Sequence, residues 1–192
     1  MAVPVKVIGT PEVSIGSVAE VRLSYLRPTA RGRYETTLDV NDTGSVVNLI
    51  GLRKLEGRPD VFIYRISIVL YNIAAGNGTP LEIWKVGSVG GGSLSSPTFV
   101  TKKDSRYPNS TLEIRTVAPT SATLSGNPWL VMGTSSTGAS ALTGTRDMWT
   151  ALDFYDMMRL TGGEGLIFRT AGATDIDTIY NVTIGWEEAN LP

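Results

Sequence analysis

The chain has 192 residues, 42% hydrophobic and 18% charged, with 21 Gly, 10 Pro and a formal net charge of -1. One domain of this length buries roughly 70% of the surface its unfolded chain exposes and needs no staples, and the Gly and Pro content suits a loop-rich all-β fold better than a helical one. The sequence contains neither His nor Cys, which excludes disulfides, thiolate zinc sites and the Ser-His-Asp and Cys-His forms of nucleophilic catalysis, and its near-zero charge supplies no bulk attraction for nucleic acid or an acidic membrane.

Met1-Ala-Val-Pro-Val-Lys6 has no basic stretch leading into a long apolar run, so no signal peptide is predicted. No window approaches the roughly eighteen apolar residues of a membrane span, and a soluble protein made in a cytoplasm is expected. From Ala2 to Ile15, Pro4 and Pro11 with single apolar residues between them suit an extended arm and oppose a helix. The reading places an arm over residues 1–18 and a single domain over residues 19–192. An arm of this kind needs a partner to lie on.

Glu20 to Leu26 alternates as a strand, which Pro28 and Arg31-Gly-Arg33 interrupt. Tyr34 to Val40 and Ser45 to Leu52 follow as two further strands, joined by the turn residues Asn41-Asp-Thr-Gly44, so this pair is expected to form a hairpin. Arg31, Arg33, Arg53, Lys54 and Arg58 are the densest basic residues; with Glu35 and Glu56 beside them, a solvated loop face explains them better than a phosphate site, which relies on a broader basic surface.

Asp60 to Ile73 is the most hydrophobic segment, and its β-branched and aromatic residues predict a long strand. Ala75-Gly-Asn-Gly78 then turns the chain, and Leu81 to Val86 returns as the second arm of an expected hairpin. Gly87-Ser-Val-Gly-Gly-Gly-Ser93 lacks the Lys, the Ser or Thr and the following helix of a phosphate loop, so it reads as a flexible linker. Thr98 to Lys102 and Thr111 to Val117 read as strands. From Ala118 to Arg146 the Ser, Thr, Gly and Ala content predicts a long excursion with a short strand at Trp129-Leu-Val-Met132. Met148 to Leu160 mixes two periods and is read as a short helix or loop followed by a strand.

The last forty residues carry the clearest pattern. Leu166, Phe168 and Thr170 share one face and Ile167 and Arg169 the other, with Gly162, Gly163 and Gly165 permitting the positive φ of a tight turn. Tyr180, Val182, Ile184 and Trp186 alternate with Asn181, Thr183, Gly185 and Glu187, as an antiparallel strand over a core should, and this strand is expected to close the fold.

Gly163-Glu-Gly-Leu-Ile-Phe-Arg169 and Asn181-Val-Thr-Ile-Gly-Trp-Glu-Glu188, with Leu81-Glu-Ile-Trp84 and Lys103-Asp-Ser105 as weaker echoes, resemble small jelly-roll virion proteins of tailed bacteriophages. The likeness covers roughly the last two thirds of the chain. It implies an antiparallel β-sandwich of jelly-roll type that decorates or cements a capsid, or sits in a collar, tail or baseplate. The implied partners are further copies of the chain, a trimer being favoured, and the major capsid or other virion proteins. The implied location is the virion, assembled from protein made in the host cytoplasm.

Against this stand two other readings. In a carbohydrate-binding module, Trp129 and Trp149 with the Ala118–Arg146 loop would stack on a glycan, while Trp84 and Trp186, inside strand patterns, belong to the core. An enzyme would have to use carboxylates, with Asp153, Asp156, Glu164, Asp175 and Asp177 available; loop carboxylates are usually only solvated, so no catalytic residue is assigned. No cofactor is predicted. Asp175-Ile-Asp177 offers the oxygen ligands that suit calcium, a pairing common by chance. The sequons at Asn41, Asn77, Asn109 and Asn181 are expected to stay bare without a secretory signal.

Overall fold

Alternation sends successive side chains of a strand to opposite faces, so short alternating runs resolve into sheets with one face to bury. The computed structural model describes residues 29–41, 48–72, 81–94, 100–132, 146–152, 156–171 and 179–190, which form twelve strands and no helix. In chain order they are β1 (Thr29–Asn41), β2 (Asn48–Arg53), β3 (Asp60–Asn72), β4 (Leu81–Val86), β5 (Val89–Leu94) and β6 (Val100–Lys102), then β7 (Glu113–Ser121), β8 (Leu130–Met132), β9 (Arg146–Thr150), β10 (Met158–Leu160), β11 (Gly165–Thr170) and β12 (Ile179–Asn190). One sheet has the order β10-β3-β12-β1-β6, with β9 also paired to β3; the other has the order β5-β7-β2-β11-β4-β8. All pairings are antiparallel. The two sheets pack face to face as a β-sandwich.

The first four strands pair with later ones in reverse order: β1 with β12, β2 with β11, β3 with β10 and β4 with β8. The β3·β12 and β4·β11 pairings join these ribbons into sheets. The long alternating strand of the sequence, β12, is therefore central rather than an edge. Its Tyr180, Val182, Ile184 and Trp186 are each 0% exposed, and they share one core with Ile50, Leu52, Leu166 and Phe168 of the opposite sheet.

Two expected hairpins do not form. β1 and β2 lie in different sheets, and so do β3 and β4. Turn residues mark where a chain reverses, but the layer that the next strand joins is set by which strands face each other across the core. Both turn motifs, in residues 42–47 and 73–80, lie outside the described residues, as do Glu20 to Leu26 and the arm. Arg31-Gly-Arg33 itself lies within a strand: β1 runs through it, with the register shifting between Ala30 and Gly32. A bulge absorbs the irregularity.

The glycine run after β4 is also a strand rather than a linker. β5 pairs with β7 from Val89↔Ser121 to Leu94↔Arg115. Opposite each other in this ribbon sit four left-handed residues: Gly91 (φ 54) and Gly92 (φ 61) on β5, Val117 (φ 60) and Ala118 (φ 52) on β7. Beyond this double kink the ribbon folds back over the outer face of its own sheet. There a Cβ on Gly51 would lie 2.6 Å from a Val89 methyl and 3.0 Å from Pro119, and one on Gly165 would lie 2.2 Å from the Leu52 carbonyl and 2.6 Å from Val89. Gly165 thus serves close approach, whereas Gly162 (φ 43) and Gly163 (φ 88) make the turn. The flap seals a second apolar cluster of Val86, Val89 and Ile167, with Trp84 and Leu124 against it. Trp84 belongs to this satellite rather than to the central core.

Met148 to Leu160 contains no helix among its described residues. β9 and β10 both lie along the free side of β3, with Trp149 opposite Ile66 and Leu160 opposite Val61. The helical spacing of Met148 and Leu152 carries no buried face, since they are 55% and 94% exposed. Open donors and acceptors on β3 decide the conformation instead.

Candidate functional site

The sequence singled out Trp129 and Trp149 for contact with a partner, and the fold brings them together. Trp149 sits on β9 at the edge of one sheet and packs on the core; Trp129 immediately precedes β8 at the edge of the other, its amide donating to the Ile83 carbonyl at 2.8 Å. Their rings meet edge to face, with centroids 4.8 Å apart and planes at 83°. Such a pair contributes about 0.5–1.5 kcal/mol beyond burial. Trp129 remains 36% exposed, and Val131 on β8, Met148 on β9 and Leu152 just after it are 52%, 55% and 94% exposed. This edge carries four of the six exposed large hydrophobic residues among the described ones.

A second constellation escaped the sequence reading. Glu188, on β12, is 2% exposed and accepts from Ser110 Oγ at 2.5 Å, Thr111 N at 2.8 Å, Thr111 Oγ1 at 2.9 Å and Leu112 N at 3.2 Å, with Trp186 Nε1 at 3.4 Å. Tyr34 stacks on Trp186 with centroids 5.7 Å apart and donates its hydroxyl to the Pro108 carbonyl at 2.9 Å. Burial, then the negative charge of Glu188 and Tyr107, push the Tyr34 phenol up to about 12, so it keeps its proton and its donor role. The segment between β6 and β7 is thereby clasped to the central strand. In the sequence, Glu188 looked like one more polar residue after an alternating run; only the distant Ser110-Thr-Leu112 reveals its use.

This Ser–carboxylate contact does not make a nucleophile. Ser110 Oγ donates to Glu188 and accepts from Leu112 N at 3.1 Å and Trp186 Nε1 at 3.3 Å. Both lone pairs are occupied, leaving none to attack a substrate.

The other candidate residues disperse. Asp156 is exposed, and Asp153, Asp175 and Asp177 lie outside the described residues, so neither the carboxylate pair nor the calcium pair is assembled among those described. Glu164 closes the Thr161–Glu164 turn, accepting from Thr161 N at 2.8 Å and pairing with Lys85 at 3.0 Å; burial pushes its carboxyl up, but these bonds outweigh it and hold it below the usual range. Among the described side chains the basic residues form no common patch; that of Arg31 lies outside them. Arg33 pairs with Glu187 and lies 4.7 Å over the Tyr64 ring, Arg53 pairs with Glu113 at 3.6 Å, Lys54 is buried beside Asp60 at 3.7 Å, and Arg58 is exposed in the turn before β3. Asn109 accepts from Lys102, and Asn181 donates to Asp39 at 2.8 Å.

Among the described residues no three acidic groups gather to hold a metal ion, and no helix is long and apolar enough to cross a membrane. No model of a known protein family matches the chain, and no curated protein is similar to it in sequence.

Proposed function

We propose that the chain is a structural subunit of a phage particle, a capsid decoration or cement protein that binds neighbouring subunits through its arm and sandwich edges; a collar, tail or baseplate position is the alternative. The observation that carries this reading is the wrapping of the strands. Pairing β1, β2, β3 and β4 in turn with β12, β11, β10 and β8 leaves the four-strand orders β1-β12-β3-β10 and β2-β11-β4-β8, as two Greek keys rolled into a jelly roll would. Of the motifs that resemble virion proteins, Gly165 to Arg169 and Asn181 to Glu188 fall on β11 and β12, an interior strand of each sheet, with Gly163 and Glu164 in the turn before β11. Copies held by modest contacts at many symmetric sites would gain stability by avidity.

The test is the mass in solution, by light scattering, of the full chain and of a version lacking residues 1–18. A trimer or larger species that dissociates on truncation supports assembly through the arm. Stable monomers in both cases remove that mechanism.

One observation favours glycan binding as a second reading: Trp129 and Trp149 do meet at one edge. Their edge-to-face arrangement offers at most one open ring face, less than a two-ring platform provides. A glycan array that retains the full chain and loses the Trp129→Ala variant would favour it.

A further inference from the structure

The flap that covers Val86 and Ile167 is set in place by a backbone conformation that its side chains resist. Val117 holds φ 60 and Ala118 φ 52, the left-handed region in which Cβ crowds the following carbonyl, and a β-branched residue there is an outlier. Pro119 adds to the conflict, because a proline drives the residue before it towards extended backbone. No burial offsets the conformation on the spot: Val117 is 73% exposed, and Ala118 is exposed too. Gly91 and Gly92 on the facing strand adopt the same region without that penalty.

What holds the flap down lies beyond the kink. Val89, which is buried, sits over Gly51 and Gly165, and the buried Pro119 lies beside it over Gly51. Asn48 Nδ2 donates to the Pro119 carbonyl and Arg115 Nη1 to the Gly91 carbonyl, both at 2.9 Å. Within the flap Ala122 N donates to the Ser88 carbonyl at 3.2 Å, whereas Pro119, opposite Gly91, has no N–H to give. Among the described residues the grip is thus a small apolar contact and two side-chain hydrogen bonds, set against two strained residues. The sheet beneath is held differently, by strands paired on both sides: β2 lies between β7 and β11, and β11 between β2 and β4.

We infer that residues 87–92 and 117–122 are a strained strap that opens as a unit while the sandwich stays folded, baring the apolar strip of Val86 and Ile167. Opening lets Val117 and Ala118 return to extended backbone, so the strain stored in the closed strap lowers the free energy of opening. The strand pairs below keep their own bonds. The bared strip combines the Val86 and Ile167 side chains with backbone at Gly51 and Gly165 that no side chain screens. The strap stands independently of the virion reading.

The test uses the absence of cysteine from the chain. Ile167→Cys places one thiol beneath the strap and Leu166→Cys places one in the central core, at neighbouring, fully buried positions of β11 that face opposite sides. Each full chain is labelled with an excess of an aromatic disulfide reagent, and each rate is scaled to the global unfolding equilibrium measured for the same variant. The scaled rate is expected to be about tenfold or more higher for Ile167→Cys than for Leu166→Cys. Adding Ala118→Gly is expected to slow the unscaled Ile167→Cys rate about fivefold, since glycine removes the strain that opening relieves. Equal scaled rates, or an Ile167→Cys rate that Ala118→Gly does not slow, would overturn the proposal. If either cysteine variant does not fold, amide hydrogen exchange by NMR on the unaltered chain decides instead. The Gly90, Thr120 and Ala122 amides are then expected to share one protection, about tenfold or more below that of Ile50 and Leu52, and to gain about fivefold with Ala118→Gly; protection equal to that of Ile50 and Leu52, or no gain, would equally sink it.

Discussion

Trp186 and Trp129 show how one residue type is put to two uses. Trp186 lies within the alternation of a central strand, stacked on Tyr34, its N–H directed at Ser110 and Glu188 and none of its surface exposed. Trp129 lies just outside a three-residue edge strand, held by one edge-to-face contact and its own backbone bond, and keeps 36% of its surface open. Both indoles are apolar bodies with one polar tip. What separates them is the neighbourhood: strands flank the first on both sides, whereas the second stands beside the outermost strand of its sheet among the described residues. The first region buries every atom of its indole, and the second leaves apolar surface exposed.

The sharpest way to break this comparison is to delete each indole. Trp186→Ala removes a fully buried ring and its stacking on Tyr34, and is expected to cost about 3–5 kcal/mol, seen as a large fall in the midpoint of chemical denaturation. Ala118→Gly acts with the opposite sign. Ala118 holds φ 52 beside Val117 at φ 60, and relief of a left-handed conformation that is unfavourable for an L side chain is expected to stabilise the protein by about 1 kcal/mol; a loss on this substitution would mean that the kink is not strained. The smallest effect belongs to Trp129→Ala, expected to cost about 1 kcal/mol or less in denaturation. If Trp129→Ala destabilised the fold as much as Trp186→Ala, the two regions would not differ as described.

Much of the sandwich is legible in residue pattern. The alternation from Tyr180 to Trp186 placed four side chains that are all fully buried, and the β-branched run from Asp60 is a strand of 13 residues. Of the four tryptophans only Trp186 is fully buried: Trp84 packs against the satellite cluster, and Trp149 packs against the central core to which Trp84 was assigned. The glycine run from Gly87 to Ser93 was misread for a definite reason: low side-chain content looks like a linker, but here it lets β5 kink and cross a sheet whose own Gly51 and Gly165 clear the path. Met148 and Leu152 fit a helical spacing, and the vacant side of β3 overrides it.

Local sequence determined where strands lie and which face each buries, because period-2 alternation and turn residues act over a few neighbours. Only the tertiary structure decided the rest. The sheet that each strand joins, the pairing of β1 with β12 across most of the chain, the meeting of Trp129 with Trp149 and the closing of Ser110 to Leu112 on Glu188 all depend on partners far away in sequence. No local pattern encodes those partners; they are selected together, when two half-buried faces find one core and every buried donor must find its acceptor.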